Sequence, residues 1–451
     1  MHIGILSLFL SCFANSVNFG DGISPNAPEV LFYTATGEDC CGEDPHPVHG
    51  VETLDGGFVL CGKSIDSEGN WDGFLLKIGP SIPEGNTFME EDSSHTYTWS
   101  QTFGQAGKMD AANNVVSIGN SVFVAGIKES STNGVQRVLQ KYNSTTGAFI
   151  WSQIFFSNNE SAFESMHITE TGGGILSGFV EGESGEVEGF KSYGNPVSGI
   201  ANILYLSAEQ LSSSEPPEQP IWEQQYNSFG SIRSVRSIDE GFVFVASKTE
   251  ELYVVVRIDG AGNMIWQTEL SNHGEATDIA VLSKDDEVIG MAVSGHKSID
   301  KGIDGSVTML DMDGEILWNK NYGNPVGGIN EFSGLDEGNP KWIFDECWGI
   351  QSTDQGSFIL ACGTGIEDCI GHGISCRQDP RNKWRGFLTE IDTEGEQIWY
   401  RTDSYYFEGE TEAAASASEY VFRTSRGNYA SVVDQDFGIG LMLLDYGSQS
   451  E

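Results

Sequence analysis

Short apolar runs, bounded by glycine and ending in a small residue, recur along the chain. Gly56 to Gly62 reads Gly-Gly-Phe-Val-Leu-Cys-Gly. Similar runs span Ser121 to Gly126, Gly173 to Gly178, Gly241 to Ser247, Glu287 to Gly295, Gly356 to Gly363 and Gly427 to Val433, seven copies in all. Each is too short for an amphipathic helix and rich in Val, Ile or Phe, so each predicts a strand. A second strand follows, as at Asp72 to Ile78, Leu252 to Ile258, Gly305 to Leu310 and Gly386 to Ile391. A turn then leads to a tryptophan strand. Asp259, Gly262 and Trp266 share one spacing with Asp311, Gly314 and Trp318 and with Asp392, Gly395 and Trp399, while Asn143, Gly147 and Trp151 take one residue more. An aspartate caps such a turn with its own side chain, and glycine supplies the positive φ. The regular tryptophan reads as packing against a neighbouring sheet rather than as chemistry. A further strand precedes each run, as at His49 to Leu54 and Trp348 to Ser352. Four strands per unit, repeated in this way, predict an all-β fold: one seven-bladed β-propeller with four-stranded blades.

The chain ends supply a separate indication. The last unit stops at Leu441 to Tyr446 with no tryptophan strand. Glu29 to Gly37 (Glu-Val-Leu-Phe-Tyr-Thr-Ala-Thr-Gly) matches Glu315 to Gly323 of the fifth unit in its Glu, apolar pair, aromatic and final Gly. The N-terminal segment is therefore expected to complete the last blade, which closes the ring and hides an open sheet edge. On this reading residues 27–447 form the propeller, strand 29–37 joins its last blade, and 448–451 are a tail. Residues 1–16 read as a signal peptide: Ile3 to Phe13 has the length of a leader's apolar region, with Ala14 as a small residue for cleavage. The expected localisation is secreted. The sequons at Asn143 and Asn159 fit glycosylation on that route. No later stretch approaches the ~18 unbroken apolar residues of a membrane-spanning helix.

Charge narrows the partners. With 23 basic and 66 acidic side chains the net charge is −43. Phosphate contacts need Lys and Arg, so neither nucleic acid nor an anionic membrane is an expected partner. An extracellular glycan or protein is.

The Gly-Gly-Phe-Val-Leu-Cys-Gly run, the Trp71-Asp-Gly-Phe-Leu-Leu-Lys-Ile78 strand and the Asp-x-x-Gly-x-x-x-Trp turn resemble the repeats of secreted propeller proteins of bacteria and marine microbes. The turn is also similar to that of quinoprotein-type (PQQ-like) repeats. The resemblance covers nearly all the chain downstream of the leader, but it is one of packing positions. It implies a propeller and, more loosely, an extracellular binding scaffold, without assigning an activity.

Candidate chemistry falls in four groups. Propeller ligands generally sit at the central opening, near the start of the inner strands. Asp44, Asp110, Glu164, Glu275 and Asp345 supply carboxylates there, and Arg233 and Arg236 would clamp an anion or neutralise acidic neighbours. Paired carboxylates at this place would also suit a hydrolase or lyase acting on glycans, which is the alternative to a scaffold; a cofactor- or metal-dependent oxidoreductase is another form of it. Two similar acidic loops, Lys63-Ser-Ile-Asp66 leading to Asp72 and Lys297-Ser-Ile-Asp300 leading to Asp304, make calcium the candidate cation. Cys40, Cys41, His46 and His49 are close enough in sequence to suggest a transition metal. In a secreted chain, however, cysteines more often pair. Cys369 and Cys376 flank a short loop, and Cys347 and Cys362 lie on consecutive strands of one blade. Finally, Tyr193-Gly-Asn-Pro-Val-Ser-Gly-Ile200 recurs as Tyr322-Gly-Asn-Pro-Val-Gly-Gly-Ile329, at different points of two units.

Overall fold

The computed structural model describes residues 22–36, 41, 45–65, 70–79, 97–105, 107–131, 134–182, 199–249, 252–284, 287–299, 302–324, 329–330, 341–365, 384–403, 414–435 and 438–446. The leader, Cys40, Asp44, Asp66, Asp300, Cys369, Cys376, Tyr193 and the tail lie outside them.

After β1 (Val30–Thr36), the first blade is β2 (Pro45–Glu52), β3 (Phe58–Ile65), β4 (Trp71–Ile78) and β5 (Trp99–Phe103). The second is β6 (Asp110–Ile118), β7 (Ser121–Ser130), β8 (Gly134–Asn143) and β9 (Phe149–Phe155). The third is β10 (Glu160–Ile168), β11 (Gly174–Gly182), β12 (Ile200–Leu206) and β13 (Trp222–Tyr226), with a short helix α1 (Ala208–Ser212) before β13. The fourth is β14 (Ile232–Ile238), β15 (Gly241–Thr249), β16 (Leu252–Asp259) and β17 (Met264–Leu270). The fifth is β18 (Glu275–Lys284), β19 (Glu287–Ile299), β20 (Gly302–Leu310) and β21 (Ile316–Tyr322). A two-residue strand, β22 (Ile329–Asn330), leads to the sixth: β23 (Lys341–Ser352), β24 (Phe358–Gly365), β25 (Arg385–Ile391) and β26 (Gln397–Asp403). The seventh is β27 (Ser416–Arg423), β28 (Tyr429–Gln435) and β29 (Gly438–Leu444), completed by β1.

Each blade is antiparallel, and its first strand packs on the first strands of both neighbouring blades, from β2 round to β27 and back to β2. The described residues thus form a closed ring with the first strands innermost. Both faces of a blade are covered. Phe58 and Leu60 pack with Tyr420, Val432 and Leu441 of the seventh blade, whereas Val59 and Cys61 pack with Val115 and Val124 of the second. This is why the second-strand runs are continuously apolar instead of alternating. Each such side chain withdrawn from water contributes ~1.5–3 kcal/mol.

The ring closes as the chain ends suggested. β1 pairs antiparallel with β29, with Val30 opposite Leu444, Tyr33 opposite Met442 and Thr34 opposite Leu441. The tie extends further upstream than the sequence indicated. Ser24 N–H donates to the Tyr400 carbonyl at 2.9 Å, Thr402 N–H to that of Gly22 at 3.2 Å, and Arg401 Nη1 to that of Pro28 at 2.8 Å. One segment therefore clasps the sixth blade before it completes the seventh.

The turns carry the rim joints. Asp311 Oδ1 accepts from the backbone of Asp313 and Glu315, both at 2.9 Å, and Gly314 takes φ +85°. Asp259 and Asp392 hold their turns in the same way. Each turn glycine lies beneath the tryptophan of the preceding blade. A Cβ on Gly314 would come within 2.8 Å of Trp266, and one on Gly395 within 3.0 Å of Trp318. The indole N–H then donates into the same turn, Trp266 to Met312 O at 3.2 Å and Trp318 to Thr393 O at 2.7 Å. Trp99 over Gly147 and Trp222 over Gly262 are further joints of this kind.

Candidate functional site at the central opening

The inner strand of every blade carries a β-bulge at an equivalent place, and those of the third and fifth blades have a second register shift. Pairing with the second strand skips Val48, Asn113, Glu164 and Arg233 in the first four blades. It skips Thr277, Trp348 and Glu419 in the other three. A bulge re-aims the extra residue and sharpens the local twist. It also explains the small residue that ends each apolar run: a Cβ at Gly62, Gly126 or Gly178 would overlap the inner-strand carbonyl of His46, Ala111 or Ala162.

The bulges gather charge near the axis. Arg233 donates to Glu275 Oε1 at 2.7 Å and is also under the influence of Glu164. Burial works against ionisation of Glu275, yet the Arg233 guanidinium and His296 hold its carboxyl down at about 2. His296 Nε2 stands 3.5 Å from Glu275 Oε2. Burial disfavours its charge, but Glu275 and Glu346 raise its pKa. Across the ring, Lys63 lies 3.4 Å over the Trp71 ring and is buried. Burial lowers its pKa to about 7, against the opposing pull of Glu164, Asp434 and Glu419. Side chains from the first, third, fourth, fifth, sixth and seventh blades thus share one polar mouth.

Of the residues expected there, Glu164, Arg233 and Glu275 do come together. Arg236 stands further along the same inner strand and has a different partner. It donates to Asp278 Oδ1 at 2.7 Å, and the same carboxylate accepts from Ser234 Oγ, Ile279 N–H and Ile350 N–H. Asp278 knits the fourth, fifth and sixth blades and was not picked out from sequence, because nothing in its local pattern marks a residue whose partners are far away. Arg236 is the neutralising arginine of the two expected roles. Asp110 and Asp345 sit at two separate blade interfaces. Burial raises their pKa values, to about 6 for Asp110 and about 8 for Asp345. These two acids therefore do not share one site with Glu164 and Glu275.

The Cys and His residues of the first blade also disperse. His46 Nδ1 meets Asp434 Oδ2 at 3.0 Å, while the His49 ring stacks on Tyr420 at 3.8 Å. Cys41 is half of a disulfide, which removes its thiolate as a metal ligand. Among the described residues no three His, Cys, Asp or Glu side chains form a ready metal-ligand set. Asp72 is exposed at the start of β4, and Asp304 is buried in β20. Cys347 and Cys362 are directly paired across β23 and β24 and form a disulfide. Asn143 Oδ1 caps its own turn, accepting from Thr145 and Thr146 N–H at 3.0 and 2.9 Å, and Asn159 Nδ2 donates to Glu181 at 3.2 Å on the surface.

No protein-family model matches the chain, and no curated protein sequence does. Among solved structures, the Pan2 WD40 domain of Neurospora crassa aligns at 8% identity with TM-score 0.49, covering 93% of this chain and 98% of that one. BamB from Moraxella catarrhalis aligns at 11% identity with TM-score 0.40, covering 92% and 99%. Sqt1 of Chaetomium thermophilum aligns at 10% identity with TM-score 0.44, covering 94% and 99%. At these values the likenesses carry no functional argument, and the ring rests on its own strand pairing.

Proposed function

We propose that the protein is a binding scaffold whose central opening takes a cationic segment of a partner protein. The observation that carries this reading is the charge balance at the mouth. Among the described residues, the acids Glu164, Glu275, Glu346, Glu419 and Asp434 gather around the Arg233 guanidinium, a Lys63 amine held down to about 7 and the His46 and His296 rings, so carboxylates outnumber the cations. The half-buried Trp348, on the sixth bulge, adds an aromatic surface suited to an ammonium or guanidinium group. The net charge of −43 would steer such a partner toward the ring. Secretion belongs to the same proposal. The Cys347–Cys362 disulfide and the paired Cys41 fit an oxidising compartment.

Titration calorimetry with a lysine-rich peptide at physiological salt tests the partner class. Binding is expected, with at least a tenfold loss in Glu164→Gln plus Glu419→Gln. A protein that ignores the peptide but binds a neutral oligosaccharide would overturn it in favour of a glycan ligand. N-terminal sequencing of protein from the medium tests secretion, with residues 1–16 expected to be missing.

A further inference from the structure

Two of the blade interfaces are built to one plan that the others do not share among the described residues. At the first, Trp71 of β4 forms a parallel bridge with Met109, just before β6. At the second, Ile303 of β20 pairs in parallel with Phe344 of β23. The residues that follow are aspartates on both sides: Asp72 beside Asp110, and Asp304 beside Asp345. In a parallel pair, neighbours in register project from the same face, so each bridge sets two carboxylates side by side. Like charges in that arrangement repel.

The surroundings repeat as well. Gly73 is opposite Phe103 and Gly305 opposite Tyr322. The residue two beyond each aromatic donates its backbone N–H to the inner-strand aspartate: Gln105 to Asp110 Oδ2 at 3.3 Å, and Asn324 to Asp345 Oδ1 at 3.0 Å. Both side chains are fully buried. The second oxygen of Asp110 has no hydrogen-bond partner, while that of Asp345 has the Thr364 hydroxyl opposite it as its sole polar neighbour of hydrogen-bonding kind among the described residues. A buried carboxylate oxygen left in this way is costly. Lys128 lies opposite Asp110 in the strand pairing, and Arg385 is near Asp345, but neither supplies a hydrogen bond to that second oxygen. Glu129, the other acid at the first interface, is taken up by Lys108 Nζ and Met109 N–H.

We propose that each interface binds one divalent cation of the calcium type, bridging Asp72 to Asp110 and Asp304 to Asp345 and so stapling the first blade to the second and the fifth to the sixth. Calcium accepts carboxylate, carbonyl and water oxygens in a flexible shell, so two carboxylates with water suffice for a weak site. The inference is independent of the peptide-binding reading.

Titration calorimetry of the full chain with CaCl2, in 150 mM NaCl to screen diffuse attraction to the acidic surface, is expected to show two ions per chain. Asp110→Asn and Asp345→Asn should each remove one, with at least a tenfold loss of affinity at that site. Terbium gives a second readout: Trp71 adjoins Asp72 and Trp384 lies beside the Asp345 site, so sensitised emission should appear in the wild type, fall in part in Trp71→Phe and fall further when Asp345→Asn is added. Should a variant fail to fold, the wild-type stoichiometry and the terbium signal still decide. No calcium uptake, or uptake unchanged in both folded aspartate variants, would overturn the assignment.

Discussion

The rim and the mouth of this ring obey different rules. At the rim, Trp266 over Gly314 and Trp318 over Gly395 are near copies of one joint, each with an indole N–H donated into the turn below. At the mouth, the equivalent bulge position holds valine, asparagine, glutamate, arginine, threonine, tryptophan and glutamate in successive blades. A joint that must recur to close the ring tolerates little change. The bulge position meets a different neighbour in each blade: Val48 packs with Val59 and Val115, Asn113 Nδ2 donates to Phe163 O at 2.8 Å, Thr277 Oγ1 to Cys347 O at 2.9 Å and Arg233 to Glu275. Its side chain therefore varies with its partner, and that is where recognition chemistry has room to arise.

Several substitutions would break or sharpen this contrast. The largest effect is expected at Asp278→Ala, which strands the half-buried Arg236 charge and removes the acceptor used by donors from three blades. A loss of ~3–5 kcal/mol in urea unfolding is expected. Trp399→Ala tests the rim: Trp399 is buried and donates to the Tyr446 hydroxyl at 3.1 Å, so ~3–5 kcal/mol should be lost. Gly314→Ala should cost ~1–3 kcal/mol, since it adds a clash with Trp266 to the strain of positive φ. Gly356→Ala, at φ +81° with nothing within 4 Å, should cost less and thus isolates the joint from the turn. At the mouth, Glu346→Gln, at a half-buried position, should change stability by under ~1 kcal/mol while weakening peptide binding, the reverse of the rim pattern.

Acid offers a further separation. Burial holds the pKa of both His167 and His273 down at about 3. His273 is enclosed by Thr308 Oγ1 at 2.9 Å and Ser306 Oγ at 2.8 Å. The unfolded chain binds these protons near pH 6.5 and the folded one does not, so stability should fall as pH drops from about 6.5 toward 3. His273→Gln should flatten that slope in pH-dependent melting curves. An unchanged slope would place the acid sensitivity elsewhere.

Much of the architecture was legible because it is periodic. The second-strand runs, the capped turns and the tryptophans recur in register with the blades, and the match between Glu29–Gly37 and Glu315–Gly323 located the closing strand. The two joints at Trp99 and Trp222 escaped because their blades depart from the turn spacing. The candidate site was legible only in part. Glu164, Arg233 and Glu275 were found from their place at the start of inner strands, but Asp110 and Asp345 shared that place and went to the interfaces instead. His46 and His49, close in sequence, were separated by their partners Asp434 and Tyr420, which come from the far end of the chain.

The order of the strands, their pairing within a blade and the repeated rim contacts were determined by the chain itself, since local apolar pattern and turn chemistry act over a few residues and survive translation into a linear code. Which carboxylate meets a guanidinium, which stays buried with an orphaned oxygen and which reaches the axis were decided only by tertiary structure. Those outcomes depend on Coulomb and desolvation terms between blades, and these terms have no value until the ring has closed.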